Sequence, residues 1–281
     1  MSVYVTKADG SRQLFDGGKI VKTCLRMGAN REIADNISRK IESEIYDGVS
    51  TEEILDRIFR LLQEHRPVIK HLLDLRKGLS LMSSKPEFEL FVRTLLSENG
   101  YEVAPNRILR GKCVEHEVDG IARKDGVTYF VEAKHHSNYH TPTGLDESRI
   151  ARAVLEDVLE GFEVGLNNWG IERAMIVTNT KFSEHARQYG KCRNILQIGW
   201  SSPPYHGLQD MIEEKRLYPV TCLKSLRKQT KERLASAGIV SLKQLIEREP
   251  EELANRTRIS KRSLLRLLKE AENCTQTLSM P

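Results

Sequence analysis

The stretch that decides the fold is VEHEVDGIARKDGVTYFVEAKHH, residues 114–136. Two runs of β-forming residues flank the dipeptide Asp125-Gly126. Asp-Gly between such runs predicts a β-hairpin, because a two-residue type I′ loop needs positive φ and this pair adopts it at little cost. The stretch therefore predicts two adjacent antiparallel strands joined by a tight turn.

The register of this hairpin predicts a cluster of charges. Counting outward from the loop places Asp119 opposite Glu132 and Glu117 opposite Lys134. Side chains alternate between faces with period two, so all four are expected on one face. Directly opposed Cβ atoms lie about 5 Å apart, so two ionised carboxylates repel each other unless a cation lies between them. The pattern favours a divalent ion bound by oxygen ligands.

The motif formed by Asp119, the turn and Glu132-Ala133-Lys134 resembles that of the PD-(D/E)XK nuclease superfamily, and more narrowly the Mrr-like restriction endonucleases. Both flanks agree with this resemblance. Residues 86–103 resemble the first helix of that group, and residues 174–190 resemble its later strand and helix. The resemblance implies a restriction-endonuclease-like α/β core with a mixed sheet and metal-dependent cleavage of DNA. The alternative is a surface hairpin with solvated acids.

The chemistry and the resemblance together suggest a role for each residue. The ligands of Mg²⁺ or Mn²⁺ would be Asp119, Glu132 and the Ala133 carbonyl, and Glu89 would act as an outer ligand through water. Lys134 would orient the attacking water and stabilise the charge that develops in the transition state. Glu117 has two interpretations: it holds the Lys134 ammonium in position, or it forms only a half-buried ion pair.

A polar loop with three histidines, His135, His136 and His140, follows the hairpin. Histidines in this position would contact phosphate or metal, or they belong to a solvated mobile loop. A helix from about 145 to 163, a buried strand from 174 and a last strand near 194–198 are expected next. Strands alternating with helices are typical of an α/β domain.

Residues 1–80 predict a small α+β domain, with a β-hairpin followed by four short helices, the last opening at Pro67. On the second helix an isoleucine recurs every fourth residue from Ile33 to Ile45, and Ser50 with Glu53 predicts a capping box that opens the third. The sequence V-T-K-A-D-G, followed by F-D-G-G-K-I, resembles the ATP-cone domain of ribonucleotide reductases and their regulators. The resemblance implies regulation by bound ATP or dATP. Lys7 and Lys19 would meet the triphosphate, and the turn at Gly10 would allow close backbone approach. Ala8 replaces the arginine usual in the family, and the alternative is two ordinary surface lysines.

Residues 209–281 predict an all-α tail after a Pro-Pro linker. Thirteen Lys and Arg residues against seven acids give residues 223–273 a net charge of about +6, whereas the whole chain carries +5. The tail resembles tandem helix-hairpin-helix modules, which bind the DNA backbone without reading sequence. Turns are predicted at Ala237-Gly238-Ile239 and Arg258-Ile259-Ser260, whose amides would contact phosphate. Cations surround the second turn: Arg256, Arg258, Lys261 and Arg262. The alternative is a helical protein-interaction domain with a solvated charged face.

The complete prediction is an α/β multidomain protein with an ATP-cone at 1–80, a nuclease domain at 81–208 and a helix-hairpin-helix domain at 209–281. Five scattered cysteines, without a CxxC pair, indicate a reducing cytoplasm, and no apolar run is long enough for a membrane span. We expect a nucleotide-regulated DNA endonuclease that acts as a homodimer. The rival functions are a nucleotide-responsive DNA-binding regulator with an inactive nuclease scaffold, and a structure-specific repair nuclease.

Overall fold

The structure is a computed structural model and describes residues 3–8, 10–27, 29–65 and 74–278. The first elements are β1 (Tyr4–Thr6), β2 (Arg12–Leu14), α1 (Gly17–Arg26), α2 (Arg31–Glu44) and α3 (Thr51–His65). The central elements are α4 (Leu75–Ser80), α5 (Glu89–Glu98), β3 (Glu102–Arg110), β4 (Glu115–Lys124), β5 (Val127–Lys134), α6 (Leu145–Glu163), β6 (Arg173–Thr178), α7 (Glu184–Cys192) and β7 (Leu196–Ile198). The last helices are α8 (Leu208–Lys215), α9 (Lys228–Ser236), α10 (Leu242–Ile246), α11 (Pro250–Thr257) and α12 (Lys261–Leu278).

The chain folds into two compact units. The first unit comprises Met1–Leu73, Leu223–Thr230 and Leu245–Pro281, and the second comprises Asp74–Cys222 and Lys231–Gln244. These units cut across the three consecutive segments expected from the sequence, so each unit draws on the C-terminal residues. The boundaries after residues 80 and 208 stay predictions.

The N-terminal hairpin and three following helices form as the sequence predicts. Strands β1 and β2 are antiparallel, and α2 buries Ile37 and Ile41 on the face that the fourfold spacing indicates. Only half of the expected capping box at α3 forms. Ser50 Oγ accepts a hydrogen bond from Glu53 N, but the Glu53 carboxylate contacts Tyr46 and Arg57 instead. The start of the helix predicted from Pro67 lies outside the described residues.

The second unit is built on a five-stranded mixed sheet with the order β3-β4-β5-β6-β7. Strands β3, β4 and β5 are antiparallel, and β6 and β7 continue the sheet in parallel with β5. Helices α6 and α7 cover one face, where Phe130 and Ile176 meet Leu155 in the core. Helix α5 packs on β3 and β4. The α/β core with a mixed sheet is therefore confirmed.

The register predicted for the hairpin is confirmed over its paired part. Asp125 and Gly126 form the loop with φ of 52° and 81°, and β4 pairs with β5 from Lys124↔Val127 to Gly120↔Val131. The ladder then stops, whereas β5 continues beside β6 as far as Lys134. The two strands of the hairpin therefore separate just before Asp119 and Glu132 would pair.

Strand β4 also changes its facing at this point. Val118 and Ile121 both lie in the core beneath α6, although strict alternation would place residues an odd number apart on opposite faces. The change falls at Asp119-Gly120, where the pairing with β5 ends. The alternation of side chains between the two faces, counted outward from the loop, therefore holds in β4 only as far as Gly120.

Residues 102–110 form one strand, although Pro105 and Asn106 favour a break between two strands at 101–104 and 107–110. Pro105 pairs with Gly120 inside β3. Because β3 is the edge strand of the sheet, the missing N–H of a proline costs no hydrogen bond if it points outward. The interruption in the sequence is therefore accommodated without a break in the strand.

A carboxylate on α6 holds the turn that leads into β4. Asp157 accepts hydrogen bonds from Cys113 N at 2.8 Å and Val114 N at 3.2 Å, and its Oδ2 lies 2.8 Å from the His116 ring. These bonds, first the one from the Cys113 amide and then the one from His116, hold the pKa of Asp157 well below its usual range. Ionised Asp157 therefore stabilises the start of β4.

Asp157→Asn is expected to lower the free energy of unfolding at neutral pH. Because the folded-state pKa of Asp157 is depressed, its contribution is complete above the ordinary value of about 4 and is lost as the pH falls toward the folded-state value. Urea unfolding at pH 7 and pH 3 measures this difference. The control Glu156→Gln, which removes an exposed charge paired with Arg152, should have little effect at either pH. An equal loss for Asp157→Asn at both pH values would contradict the assignment.

The C-terminal region is helical, as expected. After α8, four helices from Lys228 to Leu278 alternate with short turns. Gly238 has φ of 78° in the turn between α9 and α10. Arg258 takes the same left-handed conformation, with φ of 55°, between α11 and α12. Both turns fall where the sequence places them.

Candidate active site

Asp119 lies where β4 and β5 separate. It is buried, and its Oδ2 accepts a hydrogen bond from the backbone N–H of Ala133 at 2.8 Å. The carbonyl oxygen of Asp119 accepts a second bond, 2.9 Å long, from the Arg93 guanidinium of α5. Asp119 is thus fixed from both sides, by β5 and by α5.

Glu132 and Lys134 come from the end of β5, where that strand pairs only with β6. Glu132 is partly buried, and Lys134 leaves 41% of its side chain exposed. The Lys134 Nζ lies 3.9 Å from Glu147 Oε1 in the first turn of α6. An ammonium held this loosely can reach a substrate at the mouth of the site.

Glu89, in the first turn of α5, belongs to the same cluster of acids. It is buried, and its Oε1 lies 3.2 Å from the ammonium of Lys85. Burial, and then the charge of Asp119, raise the pKa of Glu89. Burial and the same charge raise the pKa of Glu132, and the charge of Lys134 partly opposes this. The acids are therefore close enough to disfavour each other's ionisation.

Lys85 is a member of the site that the sequence reasoning missed. Its Nζ lies 3.1 Å from Glu117 Oε1, 3.2 Å from Glu89 Oε1 and 3.7 Å from Asp119 Oδ1. Hydrogen bonds to Glu117 and then Glu89 raise the pKa of Lys85. It lies four residues before Glu89 but in extended backbone ahead of α5, so the helical spacing rule does not predict their contact.

The predicted pair of Glu117 and Lys134 is wrong. Glu117 pairs along the backbone with Ile108 of β3, and its carboxylate contacts Lys85. The change of facing at Asp119 and the end of the β4–β5 ladder turn Glu117 away from β5. At 60% exposure its ion pair is more open than the half-buried pair that the sequence suggested.

The donor set fits a divalent metal ion, although the described side chains do not form a closed metal cage. Within residues 3–8, 10–27, 29–65 and 74–278, no group of three or more His, Cys, Asp or Glu side chains is arranged to hold a metal. Burial first, and then the charge of Asp119, raise the pKa of Glu89 and of Glu132, so three carboxylates lie close together here. Hard carboxylate oxygens are the donors that Mg²⁺ and Mn²⁺ prefer.

Two of the three loop histidines, His135 and His136, are bonded to the protein, whereas His140 is exposed. His135 Nε2 bonds the Leu79 carbonyl at 3.0 Å, and His136 Nε2 lies 3.1 Å from Thr143 Oγ1. Burial lowers the pKa of both rings, so they are neutral at pH 7. The hydroxyl of Thr143 continues into a buried network with Thr178 and Thr180. This network holds the chain that leaves the site after Lys134.

The predicted nucleotide-contacting residues lie on the surface of the first unit. Lys7 is exposed at the β1–β2 turn, where Gly10 has φ of 79° and no atom would obstruct an added Cβ. Lys19 lies exposed in the first turn of α1, and its Nζ donates to Gln13 Oε1 of β2 at 3.3 Å. Gln13 is the partner of Val5 in the hairpin. The hydrogen bond therefore links α1 to the hairpin that carries Lys7.

The first predicted DNA-binding hairpin has already used its amides. The N–H groups of Gly238 and Ile239 donate to the carbonyls of Ala235 and Leu234. Those of Val240 and Ser241 donate to the Gln244 side chain, at 3.0 and 3.2 Å. A phosphate would have to displace these bonds. The expectation that this hairpin binds DNA through its amides is not supported by its geometry.

The second hairpin presents the four predicted cations on its surface. All four are exposed around the α11–α12 turn: Arg256, Arg258, Lys261 and Arg262. Arg256 also pairs with Glu252 at 3.1 Å, and Lys261 pairs with Glu251. Such exposed pairs are weak, so their cations can exchange to a phosphate. The structure brings these residues together without showing what they bind.

Three family models match the chain and agree with this architecture. The ATP cone domain matches residues 3–77, the restriction endonuclease catalytic domain matches 81–198, and the AF1548-like C-terminal domain matches 218–274. The fold and the site thus define a protein in which a restriction-endonuclease-like core follows an ATP cone. The last model describes the helical tail without naming a ligand.

A protein of Archaeoglobus fulgidus, described only as uncharacterized, is 38% identical over 159 residues, which are 57% of this chain and 86% of that protein. A solved structure titled "Crystal Structure of Protein of Unknown Function AF1548" is 34% identical, with a TM-score of 0.59 over 67% of this chain and 96% of that chain. The chain belongs to the family of this archaeal protein. None of these descriptions states a measured activity.

In the part of the chain that the structure describes, no helix is both long and apolar enough to cross a membrane.

Proposed function

We propose that the protein is a DNA endonuclease that depends on Mg²⁺ or Mn²⁺ and is regulated by ATP or dATP. The observation that carries this proposal is the grouping of Asp119, Glu132 and Lys134 at the point where β4 and β5 separate, with Glu89 beside them. Acids that raise each other's pKa values beside a reachable ammonium suit hydrolysis of a phosphodiester. The match to a restriction endonuclease domain supports the same reaction class.

The metal would be held by Asp119, Glu132 and the carbonyl of Ala133, with Glu89 as an outer ligand. A divalent ion bound there neutralises the scissile phosphate and lowers the pKa of a bound water. The Ala133 amide keeps Asp119 oriented. Arg93 ties the Asp119 backbone to α5, so the same helix that supplies Glu89 also sets the position of Asp119.

Lys134 would supply the cationic part of the chemistry. Its ammonium lies beside Glu147 without a short hydrogen bond, so it can turn toward a phosphate oxygen and toward the water that attacks phosphorus. A cation aimed at the oxygens that gain charge stabilises the transition state more than the substrate. Glu147 limits the range of this ammonium and keeps it near the site.

The two other segments would serve regulation and anchoring. Lys7 and Lys19 would contact the triphosphate of ATP or dATP near the open turn at Gly10. The cations Arg256, Arg258, Lys261 and Arg262 would contact the DNA backbone, which gives affinity without sequence readout. One site per chain cuts one strand, so a double-strand break needs two copies, and a homodimer is the simplest arrangement. Its five scattered cysteines suit a reducing cytoplasm.

The first test is nicking of supercoiled plasmid by the full chain with Mg²⁺, Mn²⁺ or EDTA. Cleavage is expected with either metal and none with EDTA. A plasmid that stays intact under all conditions, but is retained by the protein in a filter assay, would favour the DNA-binding regulator instead. Preference for a branched substrate over the plasmid would favour the structure-specific repair nuclease.

The nucleotide response is expected to depend on Lys7. ATP or dATP should change the cleavage rate or the oligomer size of the wild type, and Lys7→Ala should remove that change because one triphosphate contact is lost. Lys22→Ala is the control, since Lys22 is also exposed on α1 but lies outside the motif. Rates on plasmid and sedimentation with each nucleotide measure the response. An unaltered response in Lys7→Ala would contradict the assignment of the cone site.

A further inference from the structure

The ammonium of Lys85 lies among three carboxylates that two different elements supply. Glu89 comes from α5, and Glu117 and Asp119 come from opposite sides of the facing change in β4. Lys85 itself has an extended backbone, with φ of −120° and ψ of 137°, just before α5. The contacts of 3.1, 3.2 and 3.7 Å give each carboxylate a share of one positive charge. Among the described residues, Lys134 on β5 forms its ion pair with Glu147 and not with Asp119.

This position competes with the proposed metal ion for the same carboxylate. An ammonium 3.7 Å from Asp119 Oδ1 and a divalent ion bound to that oxygen would repel each other strongly at partly buried positions. Removing the ammonium from the site is easy, because 59% of the Lys85 side chain is exposed and its stem is flexible. The carboxylates are held by β4 and α5, so Lys85 is the partner that can move.

We propose that Lys85 is an internal counter-ion that occupies the acidic centre without a divalent metal and leaves it when the metal binds. This inference rests on the proposed metal site. It explains why the described acids form no ready metal cage although the donor set suits one: they close around Lys85. It also gives the two lysines of the site different roles, since Lys134 lies beside Glu147 and remains available to the substrate.

A direct role for Lys85 in contacting the phosphate is the competing interpretation. The geometry favours the counter-ion, because the ammonium lies 3.1 Å from Glu117 and 3.2 Å from Glu89, with the Asp119 carboxylate next to it at 3.7 Å. A lysine that serves phosphate needs a donor free to face it. The two roles predict different effects of removing the Lys85 ammonium. If Lys85 is a counter-ion, the metal binds more tightly. If Lys85 contacts phosphate, the affinity for metal alone is unchanged.

The experiment titrates MnCl₂ into the full chain by calorimetry, without DNA. Lys85→Gln is expected to bind Mn²⁺ about tenfold more tightly than the wild type, because the ion no longer displaces an ammonium. Lys112→Gln is the matched control, since Lys112 forms a similarly exposed ion pair with Glu160 and is 55% exposed. It should bind like the wild type. Asp119→Asn should lose binding and so locate the site.

A second measurement uses the wild type alone and does not depend on how the variant folds. Lysine acetylation followed by mass spectrometry should show Lys85 reacting several-fold faster when Mn²⁺ is present, with Lys112 unchanged. Melting temperatures add a third comparison: Lys85→Gln should melt below the wild type in EDTA, and the gap should close with saturating Mn²⁺.

Three results would each contradict the role of Lys85 as a counter-ion. If Lys85→Gln folds and binds Mn²⁺ no tighter than the wild type while Asp119→Asn loses binding, the metal site stands and the counter-ion fails. If Lys85 becomes no more reactive with Mn²⁺ bound, the displacement fails even if the variant is unstable. If the wild type binds no Mn²⁺ at all, the proposed function fails together with the counter-ion.

Discussion

Lys134→Ala is expected to lower the rate of plasmid cleavage by about 10²–10³-fold, the cost typical of removing one group that stabilises charge in the transition state. Lys134 lies at the end of β5, with 41% of its side chain exposed and Glu147 as its ion-pair partner. Removing this side chain leaves the core beneath the sheet intact, so the protein should stay folded. The rate of nicking under saturating Mg²⁺, with circular dichroism as a check on folding, measures the effect.

Lys112→Ala is the control for this variant, because it removes an exposed lysine that pairs with Glu160 outside the acid cluster. Its cleavage rate should equal that of the wild type. Lys134→Arg should recover part of the activity if charge matters more than shape. Equal cleavage by the wild type and Lys134→Ala would mean that the catalytic group lies elsewhere.

Asp119→Asn is expected to lower cleavage by more than about 100-fold, since changes even to residues behind a metal ligand cost 10–100-fold. The amide oxygen can still accept the hydrogen bond from the Ala133 N–H, so the local shape should survive. What is lost is the negative charge that a divalent ion requires. Plasmid nicking and the rise in melting temperature on adding Mn²⁺ should both disappear.

The same variant should leave stability in EDTA close to that of the wild type, within about 1 kcal/mol. The ion pair between Lys85 and Asp119 is long and its lysine is exposed, so losing it costs little. Losing the Asp119 charge also removes one cause of the raised pKa of Glu132 and of Glu89, which relieves repulsion in the folded state. A variant that loses activity because it unfolds would contradict this separation of function from stability. Asp157→Asn provides the contrast, since it should reduce stability at neutral pH.

Local chemistry explains why much of the fold could be predicted. The Asp125-Gly126 loop fixes its own register, because its backbone needs positive φ. The fourfold spacing of isoleucines in α2 and the Ser50 cap of α3 likewise act within a few residues. These features were read correctly because no distant contact alters them.

The parts of the site that could not be predicted depend on contacts between distant segments. The end of the β4–β5 ladder and the change of facing at Asp119 follow from packing of Val118 and Ile121 beneath α6. The alternation of side chains along a strand does not predict where the ladder ends or where the facing changes. Lys85 and Glu117 meet across 32 residues, and neither lies in the recognised motif. The cluster of Asp119, Glu132 and Lys134 with Glu89 beside it was anticipated, but Lys85 and the contact of Glu117 with it were not.

In the helical tail, too, the positions of the turns could be predicted but the contacts of their side chains could not. The composition of the segment indicates positive charge, and the turns at Gly238 and Arg258 form where expected. The sequence does not reveal that Gln244 folds back onto the amides of the first turn. Nor does it show that Lys231 and Lys243 are paired with Glu87 and Glu98. The free charge of the tail is therefore smaller than its count of basic residues.

The hydrogen bond between Asp119 Oδ2 and the Ala133 amide has a consequence for ion selectivity. Oδ2 accepts this hydrogen bond, so in the proposed site Asp119 would bind a metal mainly through Oδ1. The protein would then supply few oxygens, and water and phosphate would complete the coordination shell. Mg²⁺ retains several waters in such sites, whereas Ca²⁺ prefers six to eight oxygens in a larger shell. The proposed site would therefore suit a small, partly hydrated ion better than calcium.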